Sequence, residues 1–422
     1  MLAVPTGWVQ VTDERSIVPA GAGVGAAGAP GPDAPPFVGG WIGWLGYDLG
    51  RRLEPTGQGV RARAASDRDW PLGLWLRCPG AMVHDAWTGR WQAVGEASSS
   101  ASALAACVAS ARAARAPGRV EPFRLETPAD PHPRERYEAG VREALARIGA
   151  GEVFQVNLAR RLSAPFTGDT RALFAALCAR ARPRFGCYAE SVTTGAPGPA
   201  HAVLSLSPEL FLEGDLRTGE VATRPMKGTR PITGDARELF EAGKDRAELA
   251  MIVDLMRNDL GRVARFGSVR VAEARSIERH AGGGVLQAVA EVRARLREGV
   301  TLDELLRATF PPGSVTGAPK IRAMRLIDEL EASRRGPYCG ASGFISDHGR
   351  FAFNVAIRTA GVLGERGRDG RFRRATLDYS VGAGIVADSV PGDEYDETAQ
   401  KAWAIRSAGG ARPGRALGGA GA

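Results

Sequence analysis

The sequence predicts an α+β fold. Strand-like segments fall in hairpin pairs, and long helical segments stand between the pairs instead of alternating with single strands. No segment pattern requires a doubly wound parallel sheet, and no internal repeat is present. At 422 residues the chain is long enough for two domains or one large one.

In order, residues 1–35 are rich in Gly, Ala and Pro and read as a flexible N-terminal segment. PFVGGWIGWLGYDLGRR (36–52) is apolar, aromatic and punctuated by glycine, as buried strand and turn are. Residues 72–94 read as a strand pair turning near Thr88-Gly89, and 97–119 as a helix of small residues followed by a linker. EPFRLETPADPHP (121–133) carries four prolines and marks a boundary between an N-terminal region (36–120) and a catalytic region (134–408). Tyr137, Val141, Leu145 and Ile148 form one stripe of a helix over 134–150. VFQVNLARRL (153–162) is a strand and 170–181 a helix. AVLSLSPELFLEG (202–214) and EVATRPMKG (220–228) form a hairpin around 215–219. Helices follow at 236–260, 301–310 and 319–332. Residues 340–363 and 373–386 are strand-rich, 393–408 is a closing helix, and 409–422 is a disordered tail.

Composition removes several functions. Hydrophobic residues are 44% and charged residues 24%, which suits a globular chain. No run reaches the roughly 18 apolar residues of a membrane span. Met1–Gln10 lacks a secretory signal pattern. The five cysteines (Cys78, Cys107, Cys178, Cys187, Cys339) make no CxxC pair, and a reduced, cytoplasmic protein is expected. The net charge is +8, but the arginines are spread among 47 acidic residues and make no basic stripe, so nucleic acid is not an expected partner.

Only four of the 55 basic residues are lysines: Lys227, Lys244, Lys320 and Lys401. Arginine stays protonated, whereas lysine can become a nucleophile, so a surviving lysine can mark a place where the amine itself is wanted; chance helix-surface charge is the alternative, and the preferred reading for Lys244. Asp245 and Glu248 share a helix face, and Glu394 and Glu397 repeat that spacing. With no His or Cys nearby, these carboxylates suit Mg²⁺ rather than zinc; two solvated acidic helix faces are the alternative. PPGSVTGAPK (311–320) opens a helix and offers backbone N–H groups and the Thr316 hydroxyl to an anion, though it is not a Walker A loop. Gly382 and Gly384 in SVGAGIVADS allow close approach of backbone to ligand. Arg358, in the strand-like FNVAIRT, needs an anionic partner, from the protein or from a ligand. A pocket of this composition suits a small substrate with two or more carboxylates.

Residues 134–405 resemble the chorismate-utilising enzymes. The motifs are GEVFQVNLARR, LSLSPELFL, RPMKGTRP, KDRAELAMIVDLMRNDLGRV, PPGSVTGAPKIRAMRLIDELE, RGPYCGASGF, NVAIRT, GAGIVADS and EYDETAQKA, in the family's order. PFVGGWIGWLGYDLGRRLE resembles the aminodeoxychorismate synthase branch, as does Lys227, where anthranilate synthases carry alanine. The resemblance implies two stacked antiparallel sheets flanked by helices, with the N-terminal part interleaved into one large unit. It implies that Lys227 is a nucleophile toward C2 of chorismate and Glu209 a general acid; a lysine that only pairs with a substrate carboxylate is the alternative. It implies Glu248 and Glu397 as Mg²⁺ ligands, with Asp245 and Glu394 outside them. Tyr338 and Arg358 match residues holding the enolpyruvyl carboxylate. Gly228, Thr229, Thr316, Gly382, Gly384 and Lys401 match other substrate contacts. Gln155 stands where isochorismate-forming relatives place a water-activating lysine, so water attack is disfavoured.

The expected partner is a glutamine amidotransferase supplying ammonia, because no Cys–His arrangement for glutamine hydrolysis is evident here. Three departures from the family pattern are visible. Gln287 replaces a common histidine, and His280 is too distant to substitute. Ile232 stands where arginine is common. An N-terminal LLxS-like strand near a tryptophan-binding pocket is lacking. The competing readings are anthranilate synthase component I and a non-catalytic chorismate-binding subunit.

Overall fold

The structure is a computed structural model that describes residues 1–3, 5–23, 34–54, 64–85, 88–95, 122–191, 198–280 and 285–408. The first strands are β1 (Leu2–Ala3), β2 (Gly7–Val11) and β3 (Gly40–Leu45), followed by the one-turn helix α1 (Gly50–Leu53). Next come β4 (Gly73–Cys78), β5 (Gly80–His84), β6 (Trp91–Gly95), β7 (Phe123–Leu125) and helix α2 (Arg134–Gly149). The long strand β8 (Gln155–Gly168) leads to α3 (Thr170–Ala181), β9 (Phe185–Glu190) and β10 (Gly198–Ser207). Then follow β11 (Leu210–Asp215), β12 (Glu220–Arg224), β13 (Met226–Pro231), α4 (Ala236–Glu241) and α5 (Gly243–Gly261). The hairpin β14 (Arg270–His280) and β15 (Val285–Arg295) precedes α6 (Leu302–Thr309), β16 (Gly317–Ala318) and α7 (Lys320–Leu330). The chain closes with β17 (Ala341–Ser346), β18 (Arg350–Val355), β19 (Thr359–Arg366), β20 (Phe372–Ile385), α8 (Pro391–Lys401) and α9 (Trp403–Arg406).

The expected pair of antiparallel sheets is present. One is ten-stranded, in the order β13-β15-β12-β11-β18-β17-β3-β4-β2 with β14 on β15. The other is seven-stranded, β16-β8-β20-β19-β10-β9 with β7 on β8. A small sheet β1-β5-β6 stands apart from both. The largest apolar core joins the ten-stranded sheet to α2, α5, α6 and α7, and a second joins the seven-stranded sheet to Leu173, Leu177 and Ile405 of α3 and α9. Trp44, Leu74 and Leu76 of one sheet meet Ala189 and Val203 of the other in a third. Each fully buried leucine or valine among these contributes about 1.5–3 kcal/mol.

Local chemistry sets the helix boundaries. Tyr137, Val141 and Ala144 form the buried stripe of α2, with Leu145 and Ile148 packed beside it. Asp169 accepts from the Arg171 N–H at 2.8 Å and starts α3. Thr301 and Glu304 cap α6 reciprocally, and Leu302, Leu305 and Leu306 anchor its inner face. Among the described residues no helix is long and apolar enough to cross a membrane. Cys78, Cys178, Cys187 and Cys339 are free thiols, and Cys107 lies outside the described residues.

The structure departs from the sequence expectations in seven places. Residues 5–23 are not a flexible leader. Gly7–Val11 pairs with β4, Val11 and Ile17 are buried, and the Trp75 indole N–H donates to the Ile17 carbonyl at 2.9 Å. The boundary read at 121–133 does not set the region 36–95 apart, because β3 pairs with β17 from Gly40–Ser346 to Leu45–Ala341, which is the interleaving that the resemblance implies. Residues 72–94 make three strands, since Pro79 breaks the first run after Cys78. The expected strand 202–214 is two strands in two different sheets, divided at Pro208-Glu209. The helix expected over 236–260 is two, broken at Ala242. The hairpin β14–β15 is an addition. Arg358 is not in a strand: it sits at a corner with φ +50°, between β18 of one sheet and β19 of the other. The helix expected at 97–119 and the tail 409–422 lie outside the described residues.

Candidate active site

The chain changes sheets at 207–210 and again at 355–359, and these crossings lie side by side. The Val355 N–H donates to the Glu209 carbonyl and the Leu206 N–H to the Arg358 carbonyl, both at 3.1 Å. Glu209 and Arg358, remote in sequence, are thereby neighbours on the backbone. Arg358 is half-buried and makes no ion pair among the described residues. Its charge reaches the buried Tyr379, whose phenol burial pushes up to about 12.

Glu209 is buried at its corner. Burial pushes its carboxyl up to about 7, and a hydrogen bond with Ser314, the Lys227 ammonium and the Met226 N–H pull the other way. It thus holds a proton near neutrality, as a general acid must.

Lys227 arrives on β13. Between Lys227 and Thr229 the pairing with β15 slips, and Gly228 takes φ +79°. A bulge of this kind re-aims the side chains around it. A Cβ on Gly228 would stand 2.9 Å from Asp245 Cγ and from Leu239 Cδ1, so glycine lets α5 close onto this backbone. Lys227 Nζ then lies 3.8 Å from Glu248 Oε2, and Asp245 accepts from Arg230 at 2.9 Å. Thr229 pairs with Gln287 across the ladder; its side chain lies outside the description.

Strand β20 supplies the opposite wall. A Cβ on Gly384 would fall 2.5 Å from Gln155 Nε2 and 3.0 Å from Lys227 Nζ. A Cβ on Gly382 would fall 2.8 Å from Asn157 Oδ1 and 3.0 Å from the Tyr338 hydroxyl. The two glycines therefore clear the space in which Lys227, Gln155, Asn157 and Tyr338 converge. Gln155 is buried, and neither atom of its amide has a hydrogen-bond partner. An unpaired buried amide costs about 1–3 kcal/mol, which a polar ligand would recover. Lys401 Nζ donates to the Gly382 carbonyl at 2.8 Å and pairs with Glu397 at 2.6 Å. Glu394 is buried and accepts from Ser389 at 2.6 Å.

Thr316 is placed differently from expectation. Its hydroxyl lies 3.0 Å from the Gly313 carbonyl, to which it donates, so it is spent within its own loop. Its carbonyl accepts from the Asn157 N–H at 2.8 Å, tying that loop to β8. Lys320 lies apart from the other lysines: its ammonium pairs with the buried Asp259 at 2.5 Å and donates to the Thr309 carbonyl at 2.8 Å, a structural role. Lys244's side chain lies outside the description.

One pair escaped the sequence reading. Arg335 and Glu331 form a buried ion pair. Arg335 also donates to the carbonyls of Val315 at 2.9 Å and Asn157 at 2.7 Å, and Glu331 accepts from the Ala159 N–H at 2.8 Å. The guanidinium stacks 4.5 Å from the Tyr47 ring centre and 5.9 Å from that of Tyr338. This pair joins β8, the 313–316 loop, α7 and Tyr338 at one point. The available signal was two ionisable residues four apart, embedded between apolar segments.

For a metal, the donor chemistry fits Mg²⁺: four carboxylates, without His or Cys, on two helices that reach Lys227 and Gly382. Among the described residues no three such side chains already cluster as a metal cage. Two of the carboxylates, Glu248 and Glu397, instead lie against lysine ammoniums.

Residues 13–407 match the family described as chorismate binding enzyme. The chain is 39% identical over 385 residues to an aminodeoxychorismate synthase component 1 from Salmonella typhimurium, covering 88% of this chain and 77% of that protein. It is 38% identical over 405 residues to an anthranilate synthase component 1 from Streptomyces coelicolor, covering 90% and 74%. Among solved structures, anthranilate synthase component I from Streptococcus pneumoniae superposes with a TM-score of 0.73 at 26% identity, covering 96% of this chain and 91% of that one.

Proposed function

The chain belongs to the chorismate-binding enzyme family, and we propose that within it the chain is an aminodeoxychorismate synthase component I. In this reading it converts chorismate and ammonia to 4-amino-4-deoxychorismate and water, toward 4-aminobenzoate and folate, in the cytoplasm. A glutamine amidotransferase partner supplies the ammonia. The observation that carries the reading is the convergence of Lys227 Nζ, the Gln155 amide and the open face of Gly384, with the proton-holding Glu209 within reach of the Lys227 charge.

The steps use this chain's own groups. Lys227, as the free amine, attacks C2; the two conjugated ring double bonds shift together, the C4–O bond breaks, and Glu209 delivers its proton so that water leaves. Glu248, 3.8 Å from Nζ, orients the lysine side chain, and the proton that the amine sheds goes to water. Ammonia then adds at C4, the two double bonds return, the C2–N bond to Lys227 breaks, and the proton lost by the new amine restores Glu209. Tyr338 and Arg358 hold the enolpyruvyl carboxylate. Gly228, Thr229, Gly382, Gly384, Lys401 and Gln155 line the ring, and Thr316 holds the 313–316 loop against β8 behind them. Glu248 and Glu397 would hold Mg²⁺, with Asp245 and Glu394 outside them; when bound it would neutralise the ring carboxylate.

The similarity to anthranilate synthase components favours a second reading, the same substrate with anthranilate as product. The purified chain with chorismate, Mg²⁺ and ammonium separates the two. Formation of 4-aminobenzoate that depends on added aminodeoxychorismate lyase supports the proposal; anthranilate without lyase overturns it. Lys227→Ala is expected to lower lyase-dependent 4-aminobenzoate at least about 100-fold. An undiminished rate would remove the lysine from the chemistry.

A further inference from the structure

Two residues beyond Gly382 on the same face of β20, Ser380 borders a separate cavity of about 50 Å³. Neither Glu209, the two acidic helix pairs nor any lysine lines it, and the Arg335–Glu331 pair is the wall it shares with the candidate active site. Its walls are the entry to α2, the Leu158–Arg161 stretch of β8 and the turn after α7. The wall carries five arginines (Arg136, Arg160, Arg161, Arg334 and Arg335) against two carboxylates, Asp130 and Glu331.

Three of these arginines are already neutralised. Arg335 has Glu331, Arg160 has Asp130 at 3.3 Å, and Arg161 has Asp67. Arg136 and Arg334, both exposed at the mouth of the cavity, make no ion pair among the described residues, although the half-buried Asp48 feels the charge of Arg334. Arg161 also faces a second carboxylate, with Nε 3.7 Å from Asp378. Ser380 is 8% exposed, and its hydroxyl makes no hydrogen bond among the described residues. The 16-residue helix α2 begins at the cavity wall with no side chain capping it, so its positive end faces the same region.

Donors and positive charge without a matching acceptor call for an anion. They come from α2 (Arg136 and the helix N-terminus), β20 (Ser380) and the turn after α7 (Arg334), on several sides of the space. A planar carboxylate is best met by one arginine fork from one direction; a tetrahedral oxyanion uses donors from all sides. The volume holds more than one water-sized group and no large ring system. We propose that this cavity binds a phosphate group, free or on a small metabolite, at a site distinct from the chorismate site.

The test is calorimetric titration of the full chain with inorganic phosphate, with glycerol phosphate and with acetate at matched ionic strength. Saturable phosphate binding is expected, at least about tenfold tighter than acetate. The Arg136→Ala/Arg334→Ala chain should lose at least about tenfold in phosphate affinity, and Ser380→Ala should lose a smaller part. Lys401→Ala should leave phosphate binding intact, because that lysine belongs to the other site. Tighter glycerol phosphate than phosphate assigns the site to an ester; the reverse assigns it to the free ion. Equal phosphate affinity in the double variant, loss in Lys401→Ala, absence of binding, or acetate binding as tightly as phosphate would each overturn the proposal. Unchanged thermal midpoints of the variants without phosphate would exclude unfolding as the cause of lost affinity.

Discussion

Glu209 and Gly384 show how much a single position contributes. Glu209's carboxyl is lifted from its ordinary 4.5 to about 7, chiefly by burial. Below the ordinary value both folded and unfolded chains hold the proton. As pH rises from there toward 7, the unfolded chain gives it up first, so stability falls with pH across that window. The full difference is on the order of 3 kcal/mol. Urea unfolding of Glu209→Gln, compared with the native chain at pH 5 and pH 8, should show this loss only in the native chain. The rate should decline as pH passes about 7, and Glu209→Gln should lower it by about 10²–10⁴-fold. At Gly384, an added methyl would meet the mobile ends of Gln155 and Lys227 rather than backbone. Gly384→Ala should therefore fold with a nearly unchanged thermal midpoint, yet displace the amine and cost on the order of 10²-fold in turnover.

Between elements, the Arg335–Glu331 pair is the tie that keeps β8, the 313–316 loop and Tyr338 in mutual position. Arg335→Met should cost about 3–5 kcal/mol in urea unfolding, because Glu331 is left buried and unpaired. Arg335→Met/Glu331→Leu should recover part of that loss. Element legibility followed locality. Helices 134–149 and 170–181 were readable because one turn's periodicity and one capping aspartate define them. The hairpin β14–β15 was not: its first strand is largely exposed and charged, so alternation carried no apolar signal. The split of 202–214 was hidden for a different reason. Both halves have strand composition, and only the partner sheets of β10 and β11, distant in sequence, separate them. Motif residues of the site were legible one by one. Their meeting, and the corner conformation of Arg358, depend on the crossings.

For the whole molecule, the N-terminal strands are structural members of the catalytic sheet. β3 pairs along its whole length with β17, and Trp44 and Trp75 are among the largest fully buried side chains. A chain beginning at residue 122 would strip β17 of its neighbour and expose that core. It should lose cooperative thermal unfolding and, with it, chorismate turnover, as measured by circular dichroism and by the coupled assay. Independent, cooperative folding of that shortened chain would show that 36–120 is a separate domain after all.

The paired crossings constrain how such a chain can vary over generations. Each joins the sheets with only two or three residues, 208–209 and 356–358. Because successive side chains of a strand face opposite ways, one inserted residue at either crossing would turn everything downstream in that strand inside out. Length there is fixed as firmly as Glu209 and Arg358 themselves, and insertions and deletions accepted by descendants should collect in the outer loops and be missing from these two short bridges.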